Sequence, residues 1–416
     1  MLTFIEKHKI LYINQYGFRK GFSTTLALID VVDFIKRCID NKEYVLGIFL
    51  DLEKAFDSID HDILLAKLDH YGFRGHSNKF LKSYLKNRQQ YTFVNKKTSS
   101  LLNVKYGVPQ GSILGPLLFL LYINDISQVL EKGKGTLFAD DTAITFRNRD
   151  INQLINQAEG TLKDVKTWFN LNNLSLSIGK SSCVLFHGIK QDPKLNFQGL
   201  KVGREVIPRT KCVKYIGLHL DELLNFDYHV NELCKSLTKY FGVFYHMKHT
   251  INNKIARTIY YTCLHSRIKY GIEIYGTTSD KNMKKIQTLQ NKLLRLLLNK
   301  NPLYSTDQLH AEMKILKIVD VHKHCTLQFV YKCTTGDQII KFRDYFTARN
   351  EIHSYNTRYN HHLNIPDIPH TELVRSTTHY NGTTLWNELD ENIKDSENLN
   401  IFKKRVYNSL ARNYTT

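Results

Sequence analysis

The sequence has no Cys-x-x-Cys pair, no long unbroken apolar run and too few acids to balance its bases. Its seven cysteines are scattered and odd in number. That excludes a disulfide scaffold or a zinc knuckle and points to buried thiols in a reducing compartment. The longest apolar run, Ile113 to Ile123, is broken by Gly115 and Pro116 and is too short to span a bilayer. The opening MLTFIEKHKILY alternates charged and apolar residues, so no secretory leader is expected. A nuclear or cytoplasmic protein, neither secreted nor in a membrane, is the expectation. Acids number 39 against 58 lysines and arginines, a formal net charge of +19. Such an excess favours a polyanionic partner. Hydrophobic residues, at 42%, suffice for ordinary cores, and 416 residues suggest two or three domains.

What is present centres on Leu-Phe-Ala-Asp-Asp-Thr-Ala, residues 137 to 143. The flanks read as short strands, which places Asp140 and Asp141 at a hairpin turn. Adjacent carboxylates repel each other and fill a core poorly, and a hard cation such as Mg²⁺ would suit them. Taken alone, the pair reads equally well as a polar surface turn. A second stretch, Val45 to Leu50, is apolar on both faces, as a strand in mid-sheet would be. It ends at Asp51, an acid that is costly there unless paired or bound to a cation. Asp51, Asp140 and Asp141 therefore fit one site, and two metal ions held there could clamp both oxygens of a phosphoryl transfer. A third stretch, Gly107-Val-Pro-Gln-Gly-Ser-Ile-Leu-Gly-Pro116, reads as a loop followed by an apolar helix. Its glycines, Gly111 among them, let a nucleotide or a backbone come close.

These three stretches, in this order and spacing, resemble the palm motifs of reverse transcriptases. The wording of Gln15 to Gly21 (QYGFRKG), Asp51 to Asp57 (DLEKAFD) and Gly107 to Pro116 resembles that of non-LTR, LINE-type retrotransposons, the jockey-like group in particular. The resemblance implies an α+β, right-hand polymerase fold. Residues 1–43 would be partial fingers, 44–222 the palm, 223–300 a helical thumb and 301–416 a C-terminal extension of unknown role. It also implies site roles. Asp51, Asp140 and Asp141 would hold two Mg²⁺ ions, with Mn²⁺ as the alternative, and Lys180 would give a proton to the leaving pyrophosphate. Phe56 would be the steric gate against a 2′-hydroxyl. Gln110 and Gly111 would lie over the incoming nucleotide, and Arg19, with Lys20 as a weaker candidate, would contact template or triphosphate. Tyr215 and Gly217 would sit in a primer grip. The implied partners are an RNA template, a DNA primer and a dNTP.

Along the chain, residues 1 to 12 have a helical pattern. Thr24 or Thr25 is expected to cap the next helix, and Asp57 the one running to about residue 71. Ser77 to Gln90 should be an amphipathic helix, and Tyr91–Val94 and Leu101–Tyr106 strands. Leu117 to Val129 should be a buried helix, and Ile151 to Leu171 another with core residues at helical spacing. Cys183 to Phe186 and a hairpin over Val213 to Asp221 follow. From Phe226 the pattern turns helical, with lysines along it that suit a duplex backbone. A loop-like stretch is expected from about 350 to 383, before a closing segment from Leu385 to Lys403.

Relatives of this family carry an endonuclease and a first fingers motif upstream of the position of Gln15, so an N-terminally truncated copy is expected. Three functions stay open: an RNA-directed DNA polymerase, a catalytically inactive nucleic-acid-binding remnant, and a nucleotidyltransferase or nuclease of another class. Phe56 and the Val-Pro-Gln-Gly loop argue against the third.

Overall fold

Tyr44–Leu50 forms a strand, β1, because its run of apolar residues is covered on both faces. The computed structural model describes residues 1–191, 197–336, 340–349, 362–365 and 371–414. With Lys134–Phe138 (β2), Asp141–Asn148 (β3) and Ser182–Phe186 (β4), β1 makes a four-stranded antiparallel sheet in the order β4-β1-β3-β2. On one face Leu46, Ile48 and Leu50 join the core built with helices Leu114–Ile123 and Ile151–Leu171. On the other face Phe49 packs against Tyr215, with ring centroids 5.2 Å apart. Gly47 lies on that second face because a Cβ there would come within 2.8 Å of the Phe186 ring. This sheet belongs to a compact unit of Met1–Ala27 and Lys42–Ile216.

Several local expectations are corrected. Ser23, not Thr24 or Thr25, caps helix Thr24–Asp40, its Oγ accepting from the Leu26 N–H at 3.3 Å. Asp60, not Asp57, caps helix His61–His70, accepting from the N–H groups of Asp62 and Ile63. The helix expected over 77–90 is His76–Leu85. The apolar helix starts earlier, at Leu114, and passes at Asn124 into a 3₁₀ turn running to Leu130. Pro116 therefore falls in its first turn, where a missing N–H costs nothing. The strands expected near residues 91–106 shrink to two-residue ladders, Gln89–Gln90 with Leu102–Asn103 and Phe93–Val94 with Lys97–Thr98. All are exposed, so no core face extends them.

The second unit is helical and comprises Leu28–Asn41 and Gly217–Thr416. Its longer helices include Asp227–Thr238, Asp280–Leu297, Ile318–Thr334, Thr378–Asn387 and Leu399–Ala411. Of the loop-like stretch expected over 350–383, residues 350–361 and 366–370 lie outside the described residues. The remainder includes helix Glu372–Arg375 and the start of Thr378–Asn387. Buried acids and a lysine from the early helix tie these late segments down. Asp33, 1% exposed, accepts from the N–H groups of Thr378 at 3.0 Å and His379 at 3.1 Å, and from the Tyr345 hydroxyl. It thus serves the start of helix Thr378–Asn387 as a cap supplied from 345 residues away. Lys36 donates to the Ser376 carbonyl at 2.8 Å, and Lys341 pairs with Asp30 at 2.7 Å. Phe402 stacks on Tyr331 at 4.3 Å and lies beside Trp386. No disulfide links the cysteines, four of which are buried. No helix among the described residues is long and apolar enough to cross a membrane.

Candidate active site

The sheet register brings the acids together. β1 and β3 pair Leu50 with Thr142, so one step further Asp51 lies opposite Asp141. On the other side Asp51 meets Ser177, and the turn that leads from Ser177 into β4 carries Lys180. From that turn the Lys180 Nζ lies 3.9 Å from Asp51 Oδ2. Asp140 sits in the two-residue turn with Ala139, between the paired Phe138 and Asp141. One end of one sheet therefore holds all four groups.

Their electrostatics follow from crowding. Burial pushes the Asp140 carboxyl above its usual range, and the charge of Asp51 adds to this. Asp141 keeps one side open to solvent, yet the protein around it, then Asp140 and Asp51, push its carboxyl up to about 6. Three acids that oppose one another's charge form a place where a divalent cation would relieve the repulsion. Among the described residues no group of three or more His, Cys, Asp or Glu side chains is already arranged to hold a metal ion.

The Asp51 backbone is held by a turn the sequence did not single out. Its N–H donates to the Ser181 Oγ at 3.2 Å, and its carbonyl accepts from the Ser177 N–H at 2.9 Å. Phe56 stacks on Phe119, with centroids 4.4 Å apart, and meets the edge of Phe18 at 6.1 Å. Gln110 is exposed and donates from Nε2 to Asp57 Oδ1 at 2.9 Å. The preceding loop is stapled to the same segment: the Val108 N–H donates to the Phe56 carbonyl at 3.1 Å, and His61 Nε2 lies 2.8 Å from the Gly107 carbonyl. Gly111 needs its glycine for a φ of +79°, while the space a Cβ would fill is open.

Arg19 is half-buried against the ring of Phe22, 4.0 Å from the centroid, and its Nη1 donates to the carbonyls of Tyr12 and Gln15. Burial lowers its pKa. Lys20 is exposed. Tyr215 turns its ring into the core of the first unit, its hydroxyl donating to the Thr136 carbonyl at 3.3 Å. Strands Cys212–Tyr215 and Leu218–Asp221 flank Ile216 and Gly217, both at positive φ. Gly217 belongs to the second unit, where a Cβ on it would come within 3.0 Å of the Tyr270 ring.

The second unit also has a basic groove of about 670 Å³ along helices Asp227–Thr238 and Asp280–Leu297. Lys281, Lys284, Lys285 and Lys292 line it, at spacings that fall on one helix face.

Residues 1–220 match the family model described as reverse transcriptase (RNA-dependent DNA polymerase). A probable RNA-directed DNA polymerase from transposon X-element of Drosophila melanogaster is 32% identical over 340 residues, which is 78% of this chain and 36% of that protein. The RNA-directed DNA polymerase from mobile element jockey of the same fly is 28% identical over 77% of this chain and 36% of that protein. The chain thus spans about a third of the length of these curated relatives. Among solved structures, telomerase from Candida albicans with a fragment of telomeric RNA aligns at a TM-score of 0.40 and 11% identity, over 75% of this chain and 53% of that one. That likeness is too distant to bear on the fold.

Proposed function

Because the chain belongs to the reverse transcriptase family, we propose that it is an RNA-directed DNA polymerase of a non-LTR retrotransposon. It would join a dNTP to a primer 3′-hydroxyl on an RNA template. The observation that carries this reading is the gathering of Asp51, Asp140 and Asp141 at one sheet end, with Lys180 beside them. The three carboxylates would hold two divalent ions, Mg²⁺ or Mn²⁺. Bound there, such ions lower the pKa of the attacking hydroxyl and offset charge on the in-line transition state.

The chain's own residues would do the rest. Asp51 and Asp141 from neighbouring strand ends, and Asp140 from the turn, would supply the ligand oxygens. Lys180 donates a proton toward the leaving pyrophosphate. Phe56, fixed by its stack on Phe119, excludes a 2′-hydroxyl by volume. Gln110 and Gly111 lie over the incoming base and sugar, and Arg19 contacts template or triphosphate. The turn at Tyr215 and Gly217 offers backbone to the primer, since the Tyr215 ring is turned inward. In this reading 44–222 is the palm, 1–43 part of the fingers, 223–300 a helical thumb whose lysine groove tracks a phosphate backbone, and 301–416 an extension. Leu28–Asn41 and Gly217–Glu222, which cluster with the second unit, are where that division and the compact units differ.

Primer extension on poly(rA)/oligo(dT) with Mg²⁺ and dTTP tests the reading, beside an Asp140→Ala, Asp141→Ala control. Extension lost in the double variant is the expected result. No extension by the unaltered chain, with salt-sensitive hybrid binding intact, would mark a binding remnant instead.

A further inference from the structure

Ala139 has a φ of +56°, a left-handed conformation that an alanine adopts only at a cost. It immediately precedes Asp140. Something must hold this turn, and the strands on either side do not account for all of it. The holder comes from 124 residues away in the chain. Gln15 is 3% exposed, and its Oε1 accepts from the Ala139 N–H at 3.1 Å and from the Gly17 N–H at 2.8 Å.

The backbone around Gln15 fixes that oxygen in place. The Leu137 N–H donates to the Asn14 carbonyl at 2.9 Å, and the Tyr16 N–H donates to the Leu137 carbonyl at 2.7 Å. Gln15 thereby forms a parallel bridge with Leu137 along the open edge of β2. Gly17 completes the fit. A Cβ there would fall 2.3 Å from the Ala139 nitrogen, so only glycine lets the two segments approach. Arg19 reaches back to the Gln15 carbonyl and braces the same turn.

We propose that Gln15 is a positioning residue for the metal-binding carboxylates: its side-chain oxygen, held against the edge of β2, pins the Ala139–Asp140 turn and so sets where the Asp140 carboxylate points. The inference rests on the polymerase reading above. It assigns the segment Asn14–Gly17 a role in building the metal site. Loss of the oxygen leaves two buried N–H groups without it and frees a strained turn, which moves a ligand and not a substrate contact.

The test uses the full chain and the variants Gln15→Ala, Gln15→Glu and Asp140→Ala. Mn²⁺ affinity is read by electron paramagnetic resonance, and primer extension gives kcat and the KM for dTTP. Gln15→Ala is expected to weaken Mn²⁺ binding about tenfold and to lower kcat about 100-fold, with KM within about twofold of the unaltered chain. Gln15→Glu keeps an oxygen acceptor and is expected to retain Mn²⁺ affinity and kcat nearer to the unaltered chain than to Gln15→Ala. Mn²⁺ binding abolished by Asp140→Ala but unchanged in Gln15→Ala would overturn the proposal and leave the polymerase reading standing. An unaltered chain that binds no Mn²⁺ would overturn both. If Gln15→Ala does not fold by circular dichroism, Gln15→Glu decides: folded protein that binds Mn²⁺ supports the proposal, and folded protein that does not overturns it.

Discussion

Phe56 illustrates how one side chain is held for its role. Its ring is stacked on Phe119 and edged by Phe18, contacts that would resist its displacement in the proposed role of sugar gate. Phe56→Val should raise the ratio of ribonucleotide to deoxynucleotide incorporation by about tenfold or more, read as the ratio of kcat/KM for UTP and dTTP. An unchanged ratio would remove the gate role. The three acids were legible in the sequence because Asp51 follows an apolar strand, where an unpaired charge is costly, and Asp140 and Asp141 stand side by side between two apolar runs. Lys180 was legible only through resemblance, and it reaches Asp51 from the turn that precedes β4. Gln15 and Asp57 were not legible in their observed roles. Each acts through one hydrogen bond to a distant segment, Gln15 to Ala139 and Asp57 to Gln110. Such bonds leave no period or local pattern to read.

At the scale of elements, the buried charges of helix Thr24–Asp40 explain why late segments of the chain fold against it. Asp33 gives its carboxylate to two backbone N–H groups and a tyrosine hydroxyl in a site that is almost closed to water. Asp33→Ala should destabilise the second unit by about 3 kcal/mol, since it strips a cap and leaves those donors buried and unmet. Denaturant unfolding followed by far-UV circular dichroism measures this, and a loss below about 1 kcal/mol would mean that the network is incidental. Helix Ile151–Leu171 was predicted to the residue because its apolar positions recur at helical spacing, and the structure adds Asp150 as its cap. The segment after Asp51 was misjudged because Asp57 and Asp60 are both plausible caps three residues apart. Only the fold shows that Asp60 meets the helix N–H groups and Asp57 meets Gln110. The helices within 371–383 were missed because Glu372–Arg375 is only four residues long and the start of Thr378–Asn387 is met by the distant Asp33 beside its local cap, Thr377.

For the whole molecule, burial sets a limit in acid. His229, His265, His310, His322 and His379, all in the second unit, are held down to about 4 by burial, against 6.5 for an open imidazole. Between those values the unfolded chain takes up protons that the folded chain refuses. Stability tied to these groups is therefore complete above about pH 6.5 and is lost as pH falls toward 4, on the order of 1–3 kcal/mol for each. The denaturant midpoint of the second unit's transition should fall steeply across that window, and a flat profile would show that the imidazoles are reached by water. The excess of bases over acids, visible at once in the composition, has a place in the fold along the lysine groove of helix Asp280–Leu297.

In the proposed polymerase the sheet end holding Asp51, Asp140 and Asp141 performs the chemistry, while binding of nucleic acid depends on other surfaces. The most direct test is Asp51→Asn, compared with the unaltered chain in primer extension and, in parallel, in affinity for the same RNA–DNA hybrid. Asparagine keeps the size of the side chain and removes its charge. Extension is expected to fall by about 1,000-fold or more while hybrid affinity stays within about twofold. Extension that survives Asp51→Asn would contradict that division of roles.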